Sequence, residues 1–417
     1  MSDEKYLPDV RQEFSATEFI ESVGVTYFPC YQPIIDLASG EVYGHEALAR
    51  KRDRNGDLQS AAGIFFDGHY PTDFVLQIDR DMRQQALAYF SKETDAGCLS
   101  LNISPKWVDQ LSGLGVSPTL NMIEASGIDP QRIIIEITER QGNIDNLKRI
   151  TKEYQRNGIK VAIDDFGCGA SQVDRIVALE PELIKLDMGL FRAACRGGIA
   201  ADIALSITGM AKRMGCKIVC EGVETEREFH FAIDCGADFI QGWLYDQAVA
   251  TPIKRYASVA ATTVYKASYL KRKSGCQRNL VEHQLAVFEQ IRALSDHLKG
   301  VSTITNGNAM HRRMERLGVL RYYLCDTQGN QASPNYELTP EGIEIKSEFA
   351  GRNWSHRPYF PLLHGMRGLM NDNIVTSDPY RDSSRGIMCR TCAVWLSGQL
   401  MLLTDVMVSD IALSSLL

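Results

Sequence analysis

The sequence predicts an α/β chain: an eight-stranded (β/α)8, TIM-like barrel with an antiparallel first strand, then a long helix, then a small α+β domain. Three observations carry this. Short apolar runs alternate with helical stretches from about residue 25 to about residue 250. The first two runs are separated by Asp36 to Glu41 alone, whereas a parallel crossover needs about a dozen residues. Residues 255–300 are nearly free of Gly and Pro and place Val281, Leu285, Phe288, Ile291, Leu294 and Leu298 at helical spacing.

In order, the runs are Tyr27–Ile35, Val42–Leu48, Cys98–Ile103, Arg132–Ile137, Ile159–Ile163, Leu183–Leu186, Cys216–Val219 and Phe239–Tyr245. Ile133-Ile134-Ile135 is apolar without alternation, as in a strand covered on both faces. The short link through Gly40 therefore closes a hairpin, and the sheet is otherwise parallel. After Pro252 the pattern changes. This gives a barrel over residues 1–254, a connecting helix over 255–300 and a second domain over 301–417. In that domain Tyr322–Asp326 enters a turn at Gln328-Gly329-Asn330. Thr391–Leu396 and Gln399–Met407 form a hairpin through a two-residue Ser397-Gly398 loop.

Composition narrows the function. A chain with 44% hydrophobic and 23% charged residues is neither disordered nor collagen-like. A net charge of −7 argues against a basic face for nucleic-acid polymer. No window is apolar and charge-free enough for membrane insertion, and the polar, acidic start is unlike a signal peptide. Eleven cysteines then point to a reducing cytoplasm, with the pairs Cys216/Cys220 and Cys389/Cys392 read as packing residues.

Barrel chemistry sits at the C-terminal ends of strands and in the loops after them. Here those ends carry, in order, Glu46, Asn102, Glu136 with Glu139, Asp164-Asp165, Lys185 with Asp187, Glu221 with Glu224, and Gln241. One such acid is usually a solvated loop residue. Many at one mouth repel each other and resist burial unless compensated, and Lys185 and Arg50 are too few to do it. One or two divalent cations restore the balance, and oxygen donors suit Mg²⁺ or Mn²⁺. Adjacent aspartates suggest two ions held close, Asp164 bridging both and Asp165 reaching one, as in metal-assisted in-line phosphoryl displacement. Lys185 is placed to hydrogen-bond the attacking water.

These residues resemble the EAL-domain phosphodiesterases, which hydrolyse the bacterial second messenger cyclic di-GMP. The resemblance runs from about Phe28 to Pro252. It rests on Tyr31-Gln32-Pro33-Ile34, Gly44-His45-Glu46-Ala47-Leu48-Ala49-Arg50, Leu101-Asn102-Ile103-Ser104 and Ile135-Glu136-Ile137-Thr138-Glu139. It continues in Ile163-Asp164-Asp165-Phe166-Gly167, Ile184-Lys185-Leu186-Asp187, Glu221-Gly222-Val223-Glu224-Thr225 and Ile240-Gln241-Gly242. It implies that Glu46, Asn102, Glu136 and Asp164 ligate one metal and that Asp164, Asp165 and Glu221 hold a second. Lys185 would orient or help deprotonate the water, with Glu46 and Glu221 as its catalytic companions. Gln32, Leu48, Arg50, Asp187 and Gln241 would bind cyclic di-GMP, and Glu139 and Glu224 would support the loop after Asp165. The product would be linear pGpG. Family members usually read Asp-Phe-Gly-x-Gly-Tyr-Ser-Ser-Leu in that loop; this chain has Ala170 and Gln172, a departure that bears on turnover and its regulation. The segment from Gly63 to Asp79 resembles the YkuI type, which carries a PAS-like C-terminal domain.

Asn353 to Phe360, Ser377 to Tyr380 and Leu403 to Asp405 resemble pocket motifs of Cache/PAS-like sensor domains. Trp354, Arg357, Tyr359, Tyr380 and Asp405 form the candidate sensor pocket, whose aromatic walls, one Arg and one Asp suit a small zwitterion or carboxylate. The expectation is a cytoplasmic homodimer with an unknown small ligand at its C-terminal domain. Two other functions compete: an EAL module that binds cyclic di-GMP with little or no hydrolysis, and an enolase-type enzyme using carboxylates, Mg²⁺ and a lysine base. Degenerate EAL modules commonly lack the motif Glu, a metal-binding Asp or the Lys, and none is missing here. The enolase type needs a separate N-terminal capping domain, which the short first hairpin does not fit.

Overall fold

The computed structural model describes residues 26–52, 57–66, 70–103, 117–138, 143–167, 172–300, 309–357, 359–366, 373–382 and 384–408. Strands β1 (Thr26–Asp36) and β2 (Val42–Arg52) form the predicted hairpin, with pairs from Thr26↔Arg52 to Ile35↔Val42. Its turn is held by Asp36, whose Oδ1 accepts from Ala38 N at 2.6 Å, and by Gly40 at φ +78°. Strand β3 (Leu58–Ser60) adds to β2. The rest of the barrel is β4 (Cys98–Ile103), β5 (Ile133–Thr138), β6 (Lys160–Phe166), β7 (Leu183–Leu186), β8 (Lys217–Cys220) and β9 (Phe239–Gln241). From β2 through β4 to β9 the neighbours are parallel; β1 closes the barrel antiparallel to both β2 and β9.

Three barrel strand ends differ by three residues or more from the sequence expectation, the first being β6, which runs on to Phe166 rather than Ile163. β2 runs on to Arg52, because Thr26–Pro29 and Leu58–Ser60 flank its polar end. β9 stops at Gln241 rather than Tyr245, because the chain there presses against another backbone. A Cβ on Gly242 would lie 2.1 Å from the Val223 carbonyl oxygen. Gly242→Ala is therefore expected to destabilise the barrel by about 1–3 kcal/mol, as overpacking does. An unchanged Tm would contradict that close approach.

Period-two geometry explains how the barrel puts apolar residues below and polar ones above. Ile34, Cys98, Ile134, Ala162, Leu183, Val219 and Phe239 form one buried interior cluster. Two residues further toward the mouth, the same strands present Gln32, Ser100, Glu136, Asp164, Lys185, Glu221 and Gln241. The larger core fills the space between strands and outer helices. Those helices carry sound starts: Asn143 Oδ1 accepts from Asp145 N and Asn146 N, and Thr225 with Glu228 makes a capping box.

The chain divides into two units, one ending at Tyr269 and one starting at Leu270. Helix Val259–Gly300 contributes to both. In the first unit Thr262 Oγ1 meets Tyr245 OH at 2.7 Å, and Tyr269 OH donates to Asp234 Oδ1 at 2.8 Å. The second unit is an antiparallel sheet of β10 (Val319–Asp326), β11 (Asn335–Thr339), β12 (Gly342–Lys346), β13 (Val375–Thr376), β14 (Tyr380–Arg381), β15 (Met388–Trp395) and β16 (Leu400–Met407). Alternation again divides its faces. Tyr322, Leu402 and Val406 pack with Val287, Ile291 and Leu294 of the long helix. Tyr323, Met401 and Leu403 pack with helix Tyr359–Gly365 on the other face. The terminal hairpin turns through four residues, Leu396–Gln399, not two. Ser397 closes it, its N donating to Leu400 O and its Oγ accepting from Leu400 N.

Candidate active site

The acids converge on one lysine. Lys185 Nζ lies 2.7 Å from Glu221 Oε1, 2.8 Å from Glu136 Oε2, 3.0 Å from Glu46 Oε2 and 3.3 Å from Asp164 Oδ1. Its side chain is buried at the mouth end of β7. The sequence expectation gave the compensating charge mainly to metal ions; in this structure Lys185 is itself the counter-ion of the cup. One ammonium against four carboxylates still leaves a formal excess of three negative charges.

Hydrogen bonds tie in the neighbouring residues. Asn102 Nδ2 donates to Glu46 Oε1 at 2.7 Å, and Gln241 Nε2 donates to Glu46 Oε2 at 2.8 Å and to Gln32 Oε1 at 3.2 Å. Gln32 is the cross-strand partner of Glu46, and Asn102 that of Glu136. Ser100 Oγ donates to Glu136 Oε1 at 2.5 Å. Sequence reasoning passed over Ser100, although its place two residues before Asn102 puts it on the same strand face.

Adjacent strand residues point to opposite faces, so Asp164 and Asp165 need a special backbone to serve one site. A bulge supplies it. Ile163 pairs with Ile184 and Phe166 with Leu186, so two aspartates stand opposite the single Lys185. Asp165 sits at φ +55°, a left-handed conformation that short polar residues tolerate best. Ligand oxygens of Asp164, Asp165 and Glu221 lie within 4.8 Å of one another. Asp164 and Glu221 thus belong to both groups of acids, the one around Lys185 and the one with Asp165.

Burial sets the proton affinities. It raises the Glu136 carboxyl well above the usual range, helped by the Glu46 charge. Burial likewise pushes Glu221 up to about 8, with Lys185 opposing and Asp164 adding to the rise. Glu46 is buried too, but Lys185 and the bonds from Gln241 and Asn102 hold it below the ordinary value. Burial would lower Lys185, yet the four carboxylates raise it well above normal, so it stays charged.

Other expected residues lie around this core. Leu48 and Arg50 follow Glu46 on β2; both are half-buried, and Arg50 Nη1 donates to Ala49 O at 3.0 Å. Asp187 and Glu224 are not brought into the acid group. Asp187 Oδ1 accepts from Leu190 N at 2.8 Å and so caps helix Met188–Ala194, while Glu224 pairs with Arg192 of that helix. Glu139 and Ala170 lie outside the described residues.

The donors fit divalent cations. All are oxygens; among the described residues Gln241 Oε1 is buried without a hydrogen-bond partner, and Asp164 Oδ1 has only its 3.3 Å ion-pair contact with Lys185.

Residues 24–248, more than half of the chain, match the family described as EAL domain. The chain belongs to the EAL-domain family. Residues 268–411 match the EAL-domain associated signalling protein domain. Among relatives, the uncharacterized EAL-domain containing protein YkuI of Bacillus subtilis is 26% identical over 90% of this chain and 93% of its own. The probable cyclic di-GMP phosphodiesterase PdeD of Escherichia coli K12 is 34% identical over 52% of this chain, a match covering 40% of PdeD. The crystal structure of Bacillus subtilis YkuI, in complex with substrate c-di-GMP and calcium, matches with a TM-score of 0.81 at 24% identity, covering 96% of this chain and 98% of that one. That likeness establishes the fold across the EAL barrel and the β-rich C-terminal unit. No described helix is long and apolar enough to cross a membrane.

Proposed function

We propose that this EAL barrel hydrolyses cyclic di-GMP to linear pGpG with two divalent cations. The observation that carries the reading is that the acid group around Lys185 and the group with Asp165 share two members, Asp164 and Glu221, which would set two ion sites side by side. Glu46, Asn102, Glu136 and Asp164 would hold one ion, and Asp164, Asp165 and Glu221 the other, with Mg²⁺ or Mn²⁺ suited to such oxygens. Bound there, the pair supplies Lewis acidity and an acidified water for in-line attack at phosphorus. Lys185, released from part of its carboxylate contact, donates a hydrogen bond that orients the water and offsets charge gathering on the phosphoryl oxygens. Arg50 binds a phosphate; Gln32, Leu48, Gln241 and Asp187 bind the rest of the dinucleotide. One P–O3′ bond breaks, the water oxygen stays on phosphorus as the 5′-phosphate of pGpG, and the 3′-oxygen takes up a proton.

The working form in this reading is a cytoplasmic homodimer, and the second unit is its regulatory sensor. The match of residues 268–411 to an EAL-associated signalling domain supports that role. Incubation with cyclic di-GMP and Mn²⁺, followed by chromatography, tests the activity. Appearance of pGpG that stops on chelation supports it. Tight binding with the dinucleotide recovered intact would select the non-hydrolytic effector instead. Ca²⁺ is expected to inhibit turnover, because its larger and looser coordination positions water poorly. Full activity with Ca²⁺ alone would count against the arrangement.

A further inference from the structure

The second unit holds a cavity of about 190 Å³ whose lining includes all five candidate sensor residues, Trp354, Arg357, Tyr359, Tyr380 and Asp405. A space of that size suits a small metabolite. The lining carries four arginines and two aspartates, a formal surplus of two positive charges.

The acids of this cavity are already engaged. Arg321 is buried beneath them, cross-strand from both Asp405 and Glu337. Its Nη2 lies 2.6 Å from Asp382 Oδ1, its Nε 3.0 Å from Asp405 Oδ2, and its Nη1 3.3 Å from Glu337 Oε1. Asp405 Oδ1 accepts from Thr391 Oγ1 at 2.8 Å and from Tyr380 OH at 3.2 Å. Asp382 Oδ2 accepts from Ser384 Oγ at 2.6 Å and Arg385 N at 2.9 Å. The zwitterion expected from the sequence therefore loses its ammonium partner. Asp405 serves Arg321 and Tyr380, not a ligand cation.

The cation above this floor is in the opposite condition. The half-buried Arg357 guanidinium lies 5.6 Å from the Trp354 ring centre and 5.6 Å from that of Tyr380. Among the described residues it has no carboxylate partner. Stacking on two rings fixes the planar fork and leaves its edge donors for an anion, and a guanidinium matches a planar carboxylate with two parallel bonds. Arg352, stacked on Phe349, and Arg381 add positive charge at the exposed rim.

We infer that this cavity binds a small organic carboxylate with no ammonium group, held by Arg357 against the aromatic wall. The inference concerns binding in the second unit and stands whether or not the barrel hydrolyses cyclic di-GMP.

The full chain can be tested by thermal denaturation with sodium benzoate, succinate and pyruvate, each titrated to on the order of 10 mM at matched ionic strength. Benzamide, L-phenylalanine and inorganic phosphate are the controls. At least one carboxylate should raise Tm saturably, by roughly 2–5 °C. Benzamide should not, and phenylalanine should do no better than benzoate. Arg357→Gln should keep the unliganded Tm and lose the response; Arg357→Lys, which keeps the charge without the fork, should weaken it. Four results would overturn the inference: no saturable rise with any of the three, an equal rise with benzamide, an undiminished rise in both variants, or phosphate outperforming every carboxylate.

Discussion

Asp164→Asn is expected to abolish turnover of cyclic di-GMP while leaving the metal-free protein at least as stable as the wild type. The two halves of this result have separate causes. Asp164 stands in both acid groups, so losing its charge weakens both proposed ion sites. Loss of a single preorganised electrostatic group commonly costs about 10²–10³-fold in kcat, and a shared ligand should cost no less. Stability goes the other way. Asparagine has the same shape, the contact it gives up, 3.3 Å from Lys185 Nζ, is the longest of the four, and three carboxylates still outnumber the one ammonium. Turnover and chelator-treated Tm measured together check both halves; retained turnover would remove Asp164 from the metal sites.

Lys185→Ala should do the reverse to stability. Removing the one buried cation leaves four carboxylates facing one another, and breaking a buried ion pair from one side costs about 3–5 kcal/mol. The metal-free variant should melt well below wild type, and Mn²⁺ should recover much of the loss. In kinetics kcat should fall further than affinity for cyclic di-GMP, because the water contact matters chiefly in the transition state. An unchanged metal-free Tm would show that Lys185 is not the counter-ion. An equal loss of affinity would make it a substrate-binding residue.

Both expectations depend on what the sequence made legible. The strands could be read because their apolar runs are local, and mouth residues on the parallel strands because most follow an apolar one by two positions, as Glu136 follows Ile134 and Lys185 follows Leu183. What escaped depends on distant partners or on backbone form. The polar stretch Ala49-Arg50-Lys51-Arg52 reads as loop, yet cross-strand neighbours hold it as strand. The sequence reading puts Asp164 and Asp165 in one site, but the backbone that allows it, the bulge opposite Lys185 with a left-handed Asp165, is not visible in the residue order. Arg321 lies in an apolar run, and its acids at 337, 382 and 405 are far along the chain, so nothing nearby marked it as the consumer of Asp405. The sequence marks Lys185 as a cation near the acids; its contact with four of them at once is a product of barrel closure.

Crystals soaked in Mn²⁺ and measured at the manganese edge test the paired-ion cup most directly. The account predicts two anomalous peaks, one against Glu46, Asn102, Glu136 and Asp164 and one against Asp164, Asp165 and Glu221, with Lys185 Nζ displaced from the centre of the acids. Lys185 still bound to all four carboxylates, with no peak beside Asp164, would contradict it.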